Sequence, residues 1–150
     1  MIKRFFSPTP QTHFASTALL VLRLICGLAF VIHGWGKMQN PFAWLPEGAP
    51  IQIPGFFQFL AAFAEFAGGI AWILGVITPL ASLGLIITMA VAVLVHIIVF
   101  KDSFVINEIG SSYESPITYL GIAFTLLAVG PGNFSLDKII FKEKKTSHQS

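Results

Sequence analysis

Six residues of this chain carry titratable chemistry in or next to strongly apolar sequence: Arg23, His33, Lys37, Glu65, His96 and Glu114. A charge placed in hydrocarbon is costly, so such groups are rare there and are either paired or functional. Three of them lie in the stretch 19–37, LLVLRLICGLAFVIHGWGK. Wound as a helix at about 100° per residue, this stretch gathers Arg23, Cys26, Gly27, Phe30, His33, Gly34 and Lys37 on one stripe roughly 120° wide. Its polar groups therefore face a single partner surface. Glu65 lies in GFFQFLAAFAEFAGGIAWILG, where Gln58, Ala61, Ala62, Glu65, Gly68, Gly69 and Trp72 share one face and Phe59, Phe63, Phe66 and Ile70 the other. Small and polar residues permit close helix approach, and the Phe face suits lipid.

Depths along these helices, at about 1.5 Å per residue, lead to two expectations. Arg23 and Glu65 form a structural ion pair joining the first helix to the second, since pairing relieves the cost of a buried ion. His33 and His96 share the layer nearest the outer surface, where imidazole, with a reference pKa of about 6.5, exchanges protons near neutrality. The expected pocket for binding and proton transfer is thus His33, His96, Glu65, Arg23, Lys37 and Glu114, in the outer half of the molecule. No HExxH or other tight ligand spacing is present, so no metal site is expected, and no glycine-rich nucleotide motif appears. Cys26 is the single cysteine, which excludes an intramolecular disulfide and reads as a small packing residue.

The elements that must position these groups follow from composition. Of 150 residues, 55% are hydrophobic and 11% charged, and the mean hydropathy is +0.78, far from a soluble domain. The expected fold is all-α: an integral membrane four-helix bundle, antiparallel and up-down, forming one domain over 1–150 with helices at about 15–35, 56–74, 80–100 and 114–131. Between the first two helices, Pro41, Pro46, Pro50 and Pro54 with Phe42 and Trp44 exclude a continuous helix and predict an outer loop lying over the bundle. Lys3, Arg4, Lys138, Lys142, Lys144 and Lys145 flank the ends, against Lys37 and Lys101 in the outer loops. The positive-inside rule therefore places both termini, including the basic tail 138–150, in the cytoplasm. Anionic lipid headgroups explain that tail, and nothing resembles a nucleic-acid module.

The run Arg23-Leu24, Gly27, Phe30, His33-Gly34 and Lys37, then Glu65 with Gly68-Gly69, His96, Glu114 with Pro116 and Tyr119-Leu120, and finally Gly130-Pro131-Gly132 with Ser135-Leu136-Asp137, resembles the DoxX family of bacterial inner-membrane proteins. That resemblance implies a four-helix membrane bundle and a link to thiosulfate:quinone oxidoreduction or thiol-redox complexes. The functional expectation is an oxidoreductase-associated membrane subunit binding a quinone-like or other small polar-headed molecule, with the lipid bilayer, a protein partner in a redox complex or a second copy of the chain as its surroundings. Two alternatives stand beside it: a non-catalytic export or carrier module, and a scaffold or assembly subunit whose charges only hold helices together. One cysteine and no cofactor motif give no basis for autonomous catalysis.

Overall fold

The structure, a computed structural model, describes residues 11–106 and 110–141. The expected lead-in before residue 11, Asn107 and Glu108 of the second outer loop, and the basic run 142–150 lie outside the described residues.

All regular elements among the described residues are helical: α1 (His13–Met38), α2 (Gly55–Leu74), α3 (Thr78–Val95), a π-helical turn (His96–Phe100), α4 (Glu114–Val129) and the short α5 (Leu136–Ile140). α1, α2 and the combined Thr78–Phe100 segment are long and apolar enough to cross a membrane, and α4 is a shorter apolar helix. The chain is a membrane protein, so its exposed leucines, isoleucines and phenylalanines are lipid-facing surface.

Each start and stop has a local cause. Thr12 caps α1 by accepting a hydrogen bond from the Ala15 N–H at 3.1 Å, which satisfies one of the amides a helix start leaves unpaired. α2 follows Pro54 and ends at Gly75, whose φ of 64° is the left-handed conformation glycine takes without penalty. Pro79 sits in the first turn of α3, where its missing N–H costs nothing.

Buried residues of α1, namely Ser16, Leu19, Arg23, Cys26, Gly27, Phe30 and Gly34, trace one stripe along the helix. Its most intimate neighbour is α2, and α2 then packs on α3 and α3 on α4. Glycine makes the first of these contacts close: a Cβ on Gly34 would lie 2.7 Å from the Phe66 Cα, and one on Gly27 would lie 2.8 Å from the Gly69 carbonyl oxygen. Lacking a hydrophobic driving force between helices in lipid, this backbone approach is how α1 and α2 gain packing. Trp72, fully buried, fills the centre, with Phe30 edge-on at 5.5 Å, and donates its indole N–H to the Ser82 hydroxyl at 3.1 Å. The α1–α4 edge has no comparably close backbone contact. The bundle is looser along that seam.

Candidate functional site

Arg23 and Glu65 are not partners, which corrects the expected ion pair. Arg23 is 1% exposed and reaches the C-terminal end of α2, where Nε donates to the Trp72 carbonyl at 2.8 Å and an Nη2 N–H to that of Ile73 at 3.2 Å. Its Nη1 donates to the carbonyls of Pro131 at 2.5 Å and Phe134 at 3.1 Å. The last carbonyls of a helix lack intrahelical partners and carry the negative end of its dipole, so a guanidinium fits them well. The reason the sequence expectation failed is directional: helical side chains slant toward the N-terminus of their own helix. From mid-height on α1, Arg23 therefore points inward, away from Glu65.

The same slant brings Lys37 down onto Glu65. Lys37 Nζ lies 2.5 Å from Glu65 Oε1, with the Glu65 side chain 3% exposed. On its other side the ammonium stands 4.7 Å from the centre of the Trp44 ring, a cation–π contact. Trp44 is fixed in turn, since its indole N–H donates to the Gln58 carbonyl at 2.9 Å. The Gln58 side chain accepts from the Leu45 N–H at 3.0 Å and donates to the Ile53 carbonyl at 2.7 Å. The loop between α1 and α2 is thereby fastened to the start of α2, beside the Lys37–Glu65 pair.

A cavity of about 270 Å³ is lined by residues of all four of α1, α2, α3 and α4. Its wall brings together His33 and Lys37 from α1, Glu65 from α2, and His96 where α3 passes into the π-helical turn. Phe30, Met89 and Tyr119 supply apolar and aromatic surface at the same cavity. Phe30 and Tyr119 meet with ring centres 4.9 Å apart. Glu65 Oε2 is buried and has no hydrogen-bond partner.

Two expected pocket residues are elsewhere. Arg23 serves the C-terminal end of α2, and Glu114 stands exposed in the first turn of α4 and is absent from the cavity wall. Conversely, sequence reasoning missed Asp102 as a partner. His96 Nδ1 lies 2.7 Å from Asp102 Oδ2, and the same oxygen accepts from the Ser111 hydroxyl at 2.6 Å. The Ser111 hydroxyl, and after it the His96 ring, hold the Asp102 carboxyl below the usual carboxylate range. Helix wheels carry no signal for this contact, because Asp102 follows a π-helical turn and the left-handed Lys101, φ 56°. A π turn next to a cavity is a frequent companion of functional sites. Among the described residues no cluster of three or more His, Cys, Asp or Glu could hold a metal ion.

At the turn between α2 and α3, Asp137 completes a second network. Its carboxylate oxygens accept the N–H of Ile77 at 2.6 Å and of Thr78 at 2.9 Å, capping α3 from 60 residues away. Ile77 there has a φ of 44°, uncommon for a β-branched residue. Arg23, Asp137 and the Gly130-Pro131-Gly132 turn together tie this end of the bundle.

Helices of membrane length around a partly open cavity with polar and aromatic lining define a small integral membrane protein with a candidate binding site. The model of the DoxX family matches residues 18–97, and the chain belongs to that family. The match spans Arg23, His33, Lys37, Glu65 and His96 and stops short of Asp102, Tyr119 and Asp137. The chain is similar to "Inner membrane protein YqjF" of Escherichia coli (strain K12), 29% identical over 126 residues, 83% of this chain and 93% of that protein. It is also similar to "Putative oxidoreductase CatD" of Bacillus subtilis (strain 168), 28% identical over 131 residues, 87% of this chain and 92% of that one. No solved structure matches it.

Proposed function

We propose that this chain is a redox-linked subunit of the bacterial inner membrane that binds a quinone-like molecule, with its polar head in the outer-half cavity. The observation that carries the reading is the cavity itself, where His33, Lys37, Glu65 and His96 converge on a space walled by Phe30, Met89 and Tyr119. A cavity of about 150 Å³ holds benzene, so the 270 Å³ here suits one substituted six-membered ring. An apolar tail would leave through the loose α1–α4 seam into lipid. The oxidoreductase in the name of CatD supports a redox connection, and the name of YqjF supports the inner membrane. Closure of the inner end by Arg23 and Asp137 supports a site served from the outer half rather than a through-going carrier.

In this reading the four long helices form an antiparallel membrane bundle with both termini cytoplasmic. The basic residues at the chain ends support that orientation. The 16 residues of α4 span only about 24 Å, so the polar outer loop enters the interface at its start.

Full-length protein purified into lipid nanodiscs from its own membrane, extracted with organic solvent and chromatographed for quinones, tests the reading. A quinone near one per chain is expected. His33→Gln and His96→Gln should each lose it while retaining the wild-type melting profile, because glutamine keeps hydrogen bonding but does not titrate. Wild-type protein free of any quinone, and unable to bind one added back, would refute the pocket and favour a scaffold.

A further inference from the structure

We propose that Asp102 is a positioning residue that makes His96 a hydrogen-bond acceptor, so that the cavity selects a ring in its hydroxyl-bearing, reduced form over the oxidised carbonyl form. The inference deepens the quinone-like reading of the cavity and rests on it.

The argument begins with what Asp102 can do. Its carboxylate takes the Ser111 hydroxyl at 2.6 Å and meets His96 Nδ1 at 2.7 Å through the same oxygen, Oδ2. Held below the usual carboxylate range, it is ionised at neutral pH, and an ionised carboxylate only accepts. His96 Nδ1 therefore carries the proton. A neutral imidazole with its proton on Nδ1 has its lone pair on Nε2, and with Nδ1 committed to the outer loop, Nε2 is the ring nitrogen left for the cavity that His96 lines.

Glu65 supplies the second acceptor. Oε1 takes the Lys37 ammonium, whereas Oε2 is buried without a donor. Lys37 is already balanced by Glu65 and faces the Trp44 ring, so the pair presents no net charge. His33, Tyr119, Ser112 and Ser115 also line the cavity, and each can donate or accept, so they do not decide the matter. With the His96 ring neutral, Glu65 Oε2 and His96 Nε2 only accept, while Lys37 only donates; a hydroxyl oxygen takes a Lys37 N–H as a carbonyl oxygen does, so the ammonium does not favour the oxidised ring.

A hydroquinone brings two O–H donors to this arrangement, while the corresponding quinone brings only acceptors. Seating the quinone leaves Glu65 Oε2 unpaired and sets a carbonyl against a nitrogen lone pair, which is how sites built for a hydroxyl reject its dehydrogenated analogue. No such discrimination would follow from shape, since the two rings are nearly the same size.

The test uses the full chain in nanodiscs under anaerobic conditions, titrated with tetramethyl-1,4-benzoquinone and with its hydroquinone, affinities being read by calorimetry. Wild type should bind the hydroquinone at least about 10-fold more tightly, the factor expected when one buried acceptor gains or lacks a donor. In Asp102→Asn the amide can face Nδ1 with either its oxygen or its nitrogen, so His96 adopts either tautomer. The ratio should then fall to within about 3-fold, chiefly through tighter quinone binding, as the lost tautomer bias permits. If Asp102 merely tethers the loop, the variant weakens both ligands by the same factor and keeps the ratio, which overturns the proposal. Equal affinities in wild type overturn it as well, leaving the quinone-like pocket standing. Binding of neither form overturns both readings.

Discussion

Replacing Arg23 by leucine removes a side chain that makes four hydrogen bonds, and the structure sets the size of the effect. Two of its hydrogen bonds are short, to Trp72 O at 2.8 Å and Pro131 O at 2.5 Å, and two are longer, to Phe134 O at 3.1 Å and Ile73 O at 3.2 Å. At about 1.5–3 kcal/mol for each hydrogen bond to a charged group, the two short ones alone amount to roughly 3–6 kcal/mol. Leucine regains some apolar burial, but the buried Asp137 carboxylate loses the opposing charge of Arg23. A net destabilisation of about 3–5 kcal/mol is expected, the range found when one member of a buried charged network is removed. Arg23→Lys should fall in between, because an ammonium cannot span the α2 terminus and the Pro131 turn as a guanidinium does. The assay is the midpoint of SDS-induced unfolding in mixed micelles, followed by circular dichroism. Combined with Glu65→Gln, the Arg23 effect should be additive to within about 0.5 kcal/mol, as for residues that share no contact. Wild-type stability in Arg23→Leu, or strong coupling to Glu65, would refute the reasoning.

Lys37 and Glu65, in contrast, should couple by about 1–2 kcal/mol in a double-mutant cycle, between the values for exposed and buried pairs; no coupling would show that their contact is incidental. Gly34→Ala puts a methyl against the Phe66 backbone and should cost about 1–3 kcal/mol in the same SDS titration. Gly36→Ala, where a Cβ meets open space, should be neutral or stabilising by up to about 1 kcal/mol through helix propensity. Because the Asp102 pKa is depressed in the folded chain, its tie to His96 contributes at neutral pH and is lost only as pH falls through that depressed value. Hydrogen exchange in the loop after Lys101 should therefore stay slow down to about pH 4, below which the ordinary carboxylate range begins to be crossed. Loosening already between pH 5 and 6 would assign the tie to another group.

The stripe on α1 was legible because small and polar residues at helical spacing stand out against an apolar background, and the split of α2 into a Phe face and a small face was legible for the same reason. His33, Lys37, Glu65 and His96 all line the cavity, Glu65 from a buried place midway along α2, Lys37 and His96 from half-buried places near helix ends, and His33 from an exposed one. The Arg23 expectation failed since depth was counted along Cα positions, whereas a long side chain ends several ångströms toward its helix N-terminus. Glu114 stood out by its charge alone; at the first turn of α4 it has the position of an ordinary helix-start acid. Asp102 and Asp137 were not legible as partners. Their contacts depend on a π-helical turn and on a chain reversal after Gly132, and neither leaves a periodic trace.

The carboxylate that caps α3 also bears on the order in which the molecule is assembled. The amides of Ile77 and Thr78 receive their cap from Asp137, 60 and 59 residues further along, so the turn between α2 and α3 is synthesised that many residues before its capping group. At about 5–20 residues per second, that interval lasts roughly 3–12 seconds. During it the left-handed Ile77 has no carboxylate to hold it, and Arg23 lacks the carbonyls of Pro131 and Phe134. The turn is thus made before its latch, and residues 131–137 are the ones that fasten α1, α2 and α3 together.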